Sequence, residues 1–254
     1  MEKRRIRPLK AYKHFKTLLK DKEDTTQVFS IIEALDGSNL QDDYKRFMKT
    51  AEGQARFAER KYLVPLLDDH ATLRRLPKGS VGQHYCDFME SQGLSAQGLV
   101  DEYDRWGKTL EDIYPDDIAW FGNRRRDIHD LMHVLSGYSR DALGEACVLA
   151  FTHGQHKGLG IYFIAHMVPF EVRKEAPKGA PVWKAVREAK KNGGLAEIII
   201  KQDIMALLGE NLEDARARLN IKPPTQYQRV HQMMQDNGID PYAVIGAVNE
   251  AQAA

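Results

Sequence analysis

Apolar residues recur at the spacing of an α-helix through almost the whole chain, and the two-residue alternation of a half-buried strand is nearly absent. Contact between an apolar stripe and water is unfavourable, so each stripe is expected to pack against a neighbouring helix. Four of them are Val28/Ile31/Ile32/Leu35, Tyr44/Phe47/Met48/Ala51, Val81/Tyr85/Phe88/Met89 and Tyr227/Val230/Met233/Met234. The pattern predicts an all-α fold, a multi-helix bundle. A chain of 254 residues can bury a sufficient core as a single domain over residues 1–254.

Glycines divide the predicted helices. Two adjacent helices are expected on either side of Gly137, one over residues 123–136 and one over residues 139–155. Further helices are expected over residues 183–191, 195–208 and 212–219, with Gly193-Gly194 and Gly209 as the breaks between them. The run of three isoleucines at 198–200 is interpreted as part of a buried helix, because its length and flanks do not favour a strand.

Two cysteines, Cys86 and Cys147, match neither a disulfide framework nor a paired metal-ligand spacing. We expect both to be ordinary buried residues. No apolar run reaches the roughly eighteen residues of a membrane-spanning helix, and no apolar segment of a secretory signal follows the basic N-terminus. These features predict a protein that does not span a membrane and stays inside a cell or organelle.

The charge of the chain is distributed unevenly. Residues 1–20 carry eight basic side chains against one glutamate, a net charge of +7, so the other 234 residues carry −6 within an overall +1. Leu9, Tyr12, Phe15 and Leu18 fall at helical spacing in this segment. A basic amphipathic N-terminal arm or helix is therefore expected over residues 1–20, either lying on an anionic membrane surface or docked to the body with a solvated face. A mitochondrial presequence is a third interpretation, and the acidic body argues against nucleic-acid binding.

A histidine pair near the middle of the chain, His129-Asp130-x-x-His133, has the spacing of one helical turn. Residues four apart lie one above the other on a helix face, so both imidazoles can reach the same metal ion. Asp130 can add an oxygen ligand from the same turn. After the turn at Gly137, Glu145 on the next expected helix can supply a ligand from a second element. The spacing predicts a divalent metal site of two imidazoles and two carboxylates.

The ligand types restrict the chemistry of this site. They suit zinc, iron(II), manganese or cobalt better than calcium or copper(I). Proteolysis is disfavoured because Asp130 stands where zinc proteases carry their general-base glutamate. A metal-dependent phosphohydrolase is disfavoured because further separate histidine and aspartate ligands are not evident. Spacing alone also leaves open a capped, salt-bridged helix face with a core histidine.

The remaining polar signals are weaker. A second metal site at His153, His156 and His166 is disfavoured by their spacing. Histidines without an evident partner are expected at the surface or as helix caps; they are His14, His70, His84 and His231. The basic run 124–126 is usually a solvated face, although it could hold an anionic substrate group near the metal. Arg126 and Gln155 are the candidate substrate-binding residues.

The metal motif, together with blocks elsewhere in the chain, resembles the coenzyme Q biosynthesis protein 4 family. His129-Asp130-x-x-His133 followed by Glu145 is similar to the family's signature. The further matching blocks are Asp24–Phe29 with Glu33–Leu35, Leu76-Pro-x-Gly-Ser-x-Gly-x-x-Tyr-x-x-Phe88, and Leu212-Glu-Asp-Ala-Arg216 with Leu219-Asn-Ile and Pro223. The chain departs from many eukaryotic members at Leu208-Gly209, where they carry Trp-Glu, and at Thr152, where they often carry an acid.

The resemblance implies a role in ubiquinone biosynthesis for an all-helical protein. It implies that His129, Asp130, His133 and Glu145 bind a divalent metal ion, with zinc favoured over iron(II), manganese or cobalt. The implied activity is metal-dependent oxidative decarboxylation at C1 of a polyprenylated hydroxybenzoate, and the alternative is a metal-stabilised, lipid-binding scaffold. The implied partners are a polyprenylated quinone precursor, the other ubiquinone biosynthesis enzymes, a peripheral membrane contact and a second copy in a homodimer. The implied location is the inner membrane surface, cytoplasmic in a bacterium or facing the matrix in a mitochondrion.

Overall fold

The computed structural model describes residues 5–21 and 24–243. Its α-helices are α1 (Pro8–Leu18), α2 (Thr25–Leu35), α3 (Asn39–Met48), α4 (Ala51–Glu59), α5 (Val64–Leu67), α6 (His70–Leu73), α7 (Val81–Ser91), α8 (Ala96–Arg105), α9 (Asp116–Asp127), α10 (His129–Ser136), α11 (Ala142–His156), α12 (Leu159–Glu175), α13 (Val182–Leu195), α14 (Ile204–Gly209), α15 (Leu212–Arg218) and α16 (Thr225–Asp236). A 3-10 helix covers Ile199–Lys201, and no β-strand occurs within the described residues. The all-α prediction is confirmed.

The chain forms two compact units, each assembled from separate segments. The first contains Asp36–Gly137 and Leu195–Lys222, and the second contains the described residues of Ile6–Leu35, Tyr138–Gly194 and the segment that begins at Pro223. Both units therefore combine helices that are far apart in sequence. The prediction of a single domain over residues 1–254 stays a prediction.

An aromatic cluster holds part of the first unit together. Phe47 of α3, Phe57 of α4 and both Trp120 and Phe121 of α9 meet there with Tyr44, at ring-centroid distances between 5.1 and 6.2 Å. Tilted and edge-to-face pairs of this kind add about 1 kcal/mol each to the energy of burial. Elsewhere in this unit, α7 packs against α6, α10, α14 and α15. That packing places α7 beside the helix that carries the predicted metal ligands.

The second unit buries the inner face of its first helix. Ala11, Phe15 and Leu18 of α1 join Ile31 and Ala34 of α2 in one core cluster, into which α12 also packs. Glu33 of α2 pairs with both Arg7 and Lys10 near the start of α1, at 3.2 Å in each case. Of the apolar residues predicted to share one face of this helix, Phe15 and Leu18 are buried, whereas Leu9 and Tyr12 are exposed. Within the described residues, no helix has the length and apolar composition needed to cross a membrane.

Two predicted helix boundaries are wrong. α13 continues through Gly193-Gly194 instead of ending before them, and the predicted helix over residues 195–208 is replaced by the 3-10 helix and α14. The glycines are needed for packing, not for termination: a Cβ at Gly193 would lie 2.0 Å from the carbonyl oxygen of Phe151 on α11. A Cβ at Gly154 would lie 2.5 Å from the carbonyl oxygen of Lys190 on α13. The backbones of α11 and α13 can approach this closely only where both helices lack side chains.

Replacement of Gly193 by alanine should destabilise the protein, because the added methyl would collide with backbone that cannot move aside. We expect Gly193→Ala to lower the free energy of unfolding by about 2 kcal/mol, measured by urea denaturation with circular dichroism. Gly209→Ala is the matched control, since a Cβ there meets no atom within 4 Å. That variant should be unchanged or stabilised by up to about 1 kcal/mol. Equal denaturation midpoints for the two variants would contradict the close crossing of α11 and α13.

Candidate metal centre

The predicted helix over residues 123–136 is two helices in the structure. α9 ends at Asp127, the chain bends at Ile128 with φ −86° and ψ 3°, and α10 begins at His129. Ile128 is 1% exposed, so packing around it holds a backbone angle that no glycine or proline signals in the sequence. The bend puts the metal motif at the start of a short separate helix. That helix ends at Gly137, whose φ of 75° is the left-handed conformation that glycine adopts most easily.

Three of the four predicted ligands lie together on the first turn of α10. One ligand atom from each of His129, Asp130 and His133 lies within 4.8 Å of the other two. The two imidazole rings are nearly perpendicular, at 89°, with their centroids 5.1 Å apart. His133 is 1% exposed and Asp130 9% exposed, whereas His129 is half-buried. The cluster therefore has one buried side and one side that solvent can reach.

Aromatic residues of α7 form the wall of this cluster within the first unit. The ring of Phe88 stacks on the imidazole of His133, with centroids 5.3 Å apart and planes at 22°. Tyr85, one turn earlier, is fully buried, and its hydroxyl has no hydrogen-bond partner among the described residues. Burial raises the pKa of this phenol, and the negative charge of Asp130 raises it further. The phenol is therefore a neutral hydroxyl beside the carboxylate.

An arginine from a distant segment satisfies the end of α10. Arg216 of α15 donates from Nη2 to the carbonyl oxygen of Val134 and from Nε to that of Leu135, both at 2.9 Å. The last carbonyls of a helix have no partner within it, and a cation there also complements the helix dipole. Arg216 belongs to the block Leu212–Arg216 that carries part of the family resemblance. Its two hydrogen bonds to the end of α10 explain why an arginine at that position stabilises the fold.

Glu145 lies in the first turn of α11, in the second unit. Asp141 caps this helix by accepting hydrogen bonds from the backbone N–H groups of Leu143 and Gly144, at 3.1 Å each. Arg140 Nε stands 3.6 Å from Glu145 Oε1, and the glutamate side chain is 34% exposed. The role of Glu145 as the fourth ligand stays a prediction.

The basic run before the motif is engaged inside the first unit, so its interpretation as a solvated face is wrong. Arg124 is 4% exposed and donates to the carbonyl oxygens of Ile200 and Gln202, at 3.0 and 2.9 Å. Burial lowers the pKa of this guanidinium to about 10. Arg125 pairs with the buried carboxylate of Asp43 at 3.1 Å. These two buried arginines thus connect α9 to the segment of the 3-10 helix and to α3.

The two candidate substrate-binding residues have structural partners. Arg126 donates to Asp127 Oδ1 at 2.8 and 3.0 Å, and its guanidinium lies over the ring of Tyr103, 5.4 Å from the centroid. Gln155 is 9% exposed near the end of α11 in the second unit. The assignment of both residues to substrate binding stays a prediction.

Sequence reasoning missed a second group of metal-ligand types. His70, Cys86 and Glu90 also bring one donor atom each within 4.8 Å of one another, although His70 had no evident partner in sequence. Two other histidines expected to lack partners also have them: His14 Nδ1 lies 2.7 Å from Gln27 Oε1, and His231 Nε2 lies 3.2 Å from Asp141 Oδ1. Only the spacing of Cys86 and Glu90, four residues apart, was visible in the sequence as a signal.

The fold and the cluster define a class of protein: an all-helical chain that presents a His-Asp-x-x-His group on one turn of a buried helix. The family described as "Coenzyme Q (ubiquinone) biosynthesis protein Coq4" matches residues 11–225, most of the chain. The chain therefore belongs to the Coq4 family, whose role is in ubiquinone biosynthesis. This result confirms the resemblance found in the sequence.

Individual relatives agree with this membership. The chain is 26% identical over 159 residues to a mitochondrial ubiquinone biosynthesis protein COQ4 homolog of Xenopus tropicalis, covering 62% of this chain and 53% of the relative. It is 24% identical over 184 residues to the Danio rerio homolog, also described as mitochondrial, covering 70% and 63%. The matches thus span about half to three-fifths of these curated relatives.

A solved structure shows the same fold. The crystal structure of a protein from Nostoc punctiforme PCC 73102, whose description refers to ubiquinone biosynthesis, superposes with a TM-score of 0.59 at 19% identity. The match covers 86% of this chain and all of that one. At this identity the likeness concerns the fold alone.

Loss of one imidazole should weaken metal binding at the α10 cluster. His133→Ala and His129→Gln should each weaken zinc binding at this cluster by about tenfold or more, since even neighbours of metal ligands change affinity on this scale. The measurement is zinc stoichiometry by competition with a chromophoric chelator, on folded protein checked by circular dichroism. His84→Ala, at an exposed histidine of α7, is the matched control. Unchanged stoichiometry and affinity in both cluster variants would exclude this metal centre.

Proposed function

We propose that this protein catalyses the metal-dependent oxidative decarboxylation of a polyprenylated hydroxybenzoate, in which a hydroxyl replaces the carboxylate at C1. The observation that carries the proposal is the group of His129, Asp130 and His133 on one turn of α10, in a chain of a ubiquinone biosynthesis family. Two imidazoles and a carboxylate suit a divalent ion such as zinc, iron(II), manganese or cobalt. Zinc is the favoured ion, and Glu145 is the proposed fourth ligand.

The metal ion would supply positive charge for the substrate's carboxylate or phenolate. Residues of the first unit would position the ligands and exclude water. Phe88 stacks on the imidazole of His133, and buried Tyr85 would exclude water from the inner side of the cluster, where charges would be screened weakly. Carbon dioxide leaves C1 and a hydroxyl enters. This replacement removes two electrons from the substrate; with dioxygen as the proposed oxidant and water as the source of the hydroxyl oxygen, dioxygen is reduced to hydrogen peroxide.

Substrate recognition is assigned to two residues. Arg126 is proposed to bind the anionic part of the substrate, since its side chain is 14% exposed and its guanidinium has N–H donors beyond the two that contact Asp127. Gln155 is the second proposed substrate-binding residue. The proposed substrate is a polyprenylated quinone precursor whose tail is covered by apolar helix faces.

Purified protein with substrate and oxygen distinguishes catalysis from scaffolding. We expect the wild-type chain, loaded with metal and given a prenylated hydroxybenzoate and dioxygen, to release carbon dioxide and form the C1-hydroxylated product, detected by mass spectrometry. His129→Gln should abolish turnover, and His84→Gln should retain it. Full turnover by a metal-free His133→Ala protein would exclude the metal mechanism. Product that forms only when the other pathway enzymes are added would favour the alternative, a non-catalytic scaffold that organises them.

The exposed face of α1 supports the proposed peripheral membrane contact. Leu9 is 87% exposed and Tyr12 50% exposed, and with Lys13, Lys16 and Lys20 they line one shallow groove. Apolar and aromatic side chains surrounded by lysines suit the headgroup region of an anionic bilayer. The proposed location is the inner membrane surface, cytoplasmic in a bacterium or matrix-facing in a mitochondrion. A homodimer is proposed from the family resemblance.

Charge reversal on this face should weaken membrane binding. Lys13→Glu/Lys16→Glu should reduce affinity for phosphatidylcholine vesicles that contain phosphatidylglycerol by about tenfold or more, because each basic residue contributes roughly 1 kcal/mol at such a surface. Binding is measured by co-sedimentation and should weaken as salt rises. Lys184→Glu/Lys191→Glu, on the exposed side of α13, makes the same change in net charge elsewhere. Equal loss in both pairs would mean that net charge, and not α1, governs binding.

A further inference from the structure

A second set of metal-ligand types joins two helices of the first unit. Cys86 and Glu90 are four residues apart on α7 and therefore share one helix face. His70 is the first residue of α6, the short helix that packs against α7. One donor atom from each residue lies within 4.8 Å of the other two. A pair at i and i+4 with a third group from a facing element repeats the arrangement expected of the α10 centre.

The contacts of His70 suit a metal ligand. Its Nδ1 lies 3.1 Å from Glu90 Oε1, and its Nε2 is buried without a hydrogen-bond partner among the described residues. Tetrahedral zinc ligands lie at about this separation from one another, so Nδ1 is the nitrogen of His70 that could share an ion with Glu90 Oε1. The ring also meets the ring of Tyr85 edge to face, with centroids 6.3 Å apart, so its orientation is held by packing.

An arginine holds the carboxylate in place. Arg74 donates from Nη2 to Glu90 Oε2 and from Nη1 to Asp87 Oδ1, both at 2.5 Å. These bonds occupy Oε2 and leave Oε1 as the atom that faces His70. Carboxylates that bind metals are commonly positioned by such an outer hydrogen bond. Asp87 shares Arg74 with Glu90 but is not part of the ligand group.

We propose that His70, Cys86 and Glu90 form a second divalent-metal site, distinct from the α10 centre and suited to zinc or cobalt(II). Zinc bonds of about 2.0–2.3 Å place tetrahedral ligands roughly 3.2–3.8 Å apart, so donors within 4.8 Å need to close by only about 1 Å. The mixture of thiolate, imidazole and carboxylate favours these ions over magnesium or calcium. Three protein ligands leave the fourth position to water.

The exposure of the three residues fits ion entry from solvent. Cys86 is fully buried, whereas the side chains of His70 and Glu90 are 25% and 51% exposed. An ion would meet Glu90 and His70 first and the thiol last. Formation of the sulfur–metal bond releases the thiol proton to solvent, so the bound set has one negative sulfur and one negative carboxylate.

Cobalt spectroscopy tests this site separately from the α10 centre. Cobalt(II) titrated into the metal-free protein should produce a thiolate-to-cobalt charge-transfer band in the near ultraviolet, and zinc should displace the cobalt. The α10 cluster contains no sulfur, so His129→Gln should leave the band intact. Failure of the proposed decarboxylation therefore would not alter this result, nor would failure here alter the other.

Matched variants make the outcome specific. Cys86→Ser should abolish the band, and Cys147→Ser, at the other buried free cysteine, should retain it. Because Cys86 is buried, Glu90→Gln provides a second test at an exposed position, and it should weaken cobalt binding by about tenfold or more. Asp87→Asn removes another Arg74 partner and should leave the affinity unchanged. Absence of the band in the wild type, its survival in Cys86→Ser, or equal weakening by Glu90→Gln and Asp87→Asn would overturn the proposal.

Discussion

Burial of α10 is the constraint on which the site depends. Seven of its eight residues, from Asp130 to Ser136, are buried, so the backbone groups at its C-terminal end cannot all be satisfied by water. Arg216 resolves this by bonding two of the terminal carbonyls, and Ser136 Oγ donates to Met132 O at 2.6 Å. A helix held at its end in this way gives its first turn a fixed position. Fixed imidazoles are what a metal centre requires, because ligand geometry decides affinity.

Buried charges position the helix that precedes α10. Arg124 ties α9 to the 3-10 helix, and Arg125 ties it to Asp43 on α3. Burial raises the pKa of Asp43 to about 6, against the opposing effect of Arg125. Placing such groups away from water is unfavourable, and each pair offsets that cost only in a well-defined geometry. Both arginines lie in the last turn of α9, directly before the bend at Ile128.

α7 connects the two groups of metal-ligand types in the first unit. Phe88 stacks on His133, while Cys86 and Glu90 belong to the other group, and buried Tyr85 contacts His70 and lies near Asp130. Neighbouring positions of one helix point in different directions, so a single helix can line two places at once. This arrangement gives a physical reason why many residues between Leu76 and Phe88 match the family pattern. The residues of this block on α7 contact both groups, so each contact restricts which side chains fit.

The sequence by itself determined the helical class, because helical periodicity of apolar residues is a local property that any packing must respect. It also determined the His129-Asp130-x-x-His133 group, since residues of one helical turn are neighbours in every tertiary context. Only the tertiary structure decided that Gly193-Gly194 belongs inside a helix, that the arginines beside the motif are internal, and that His70 meets Cys86 and Glu90. These features depend on which helices approach each other and how closely. Such distances arise from packing between segments far apart in the chain, and the spacing of residues along the sequence does not predict them.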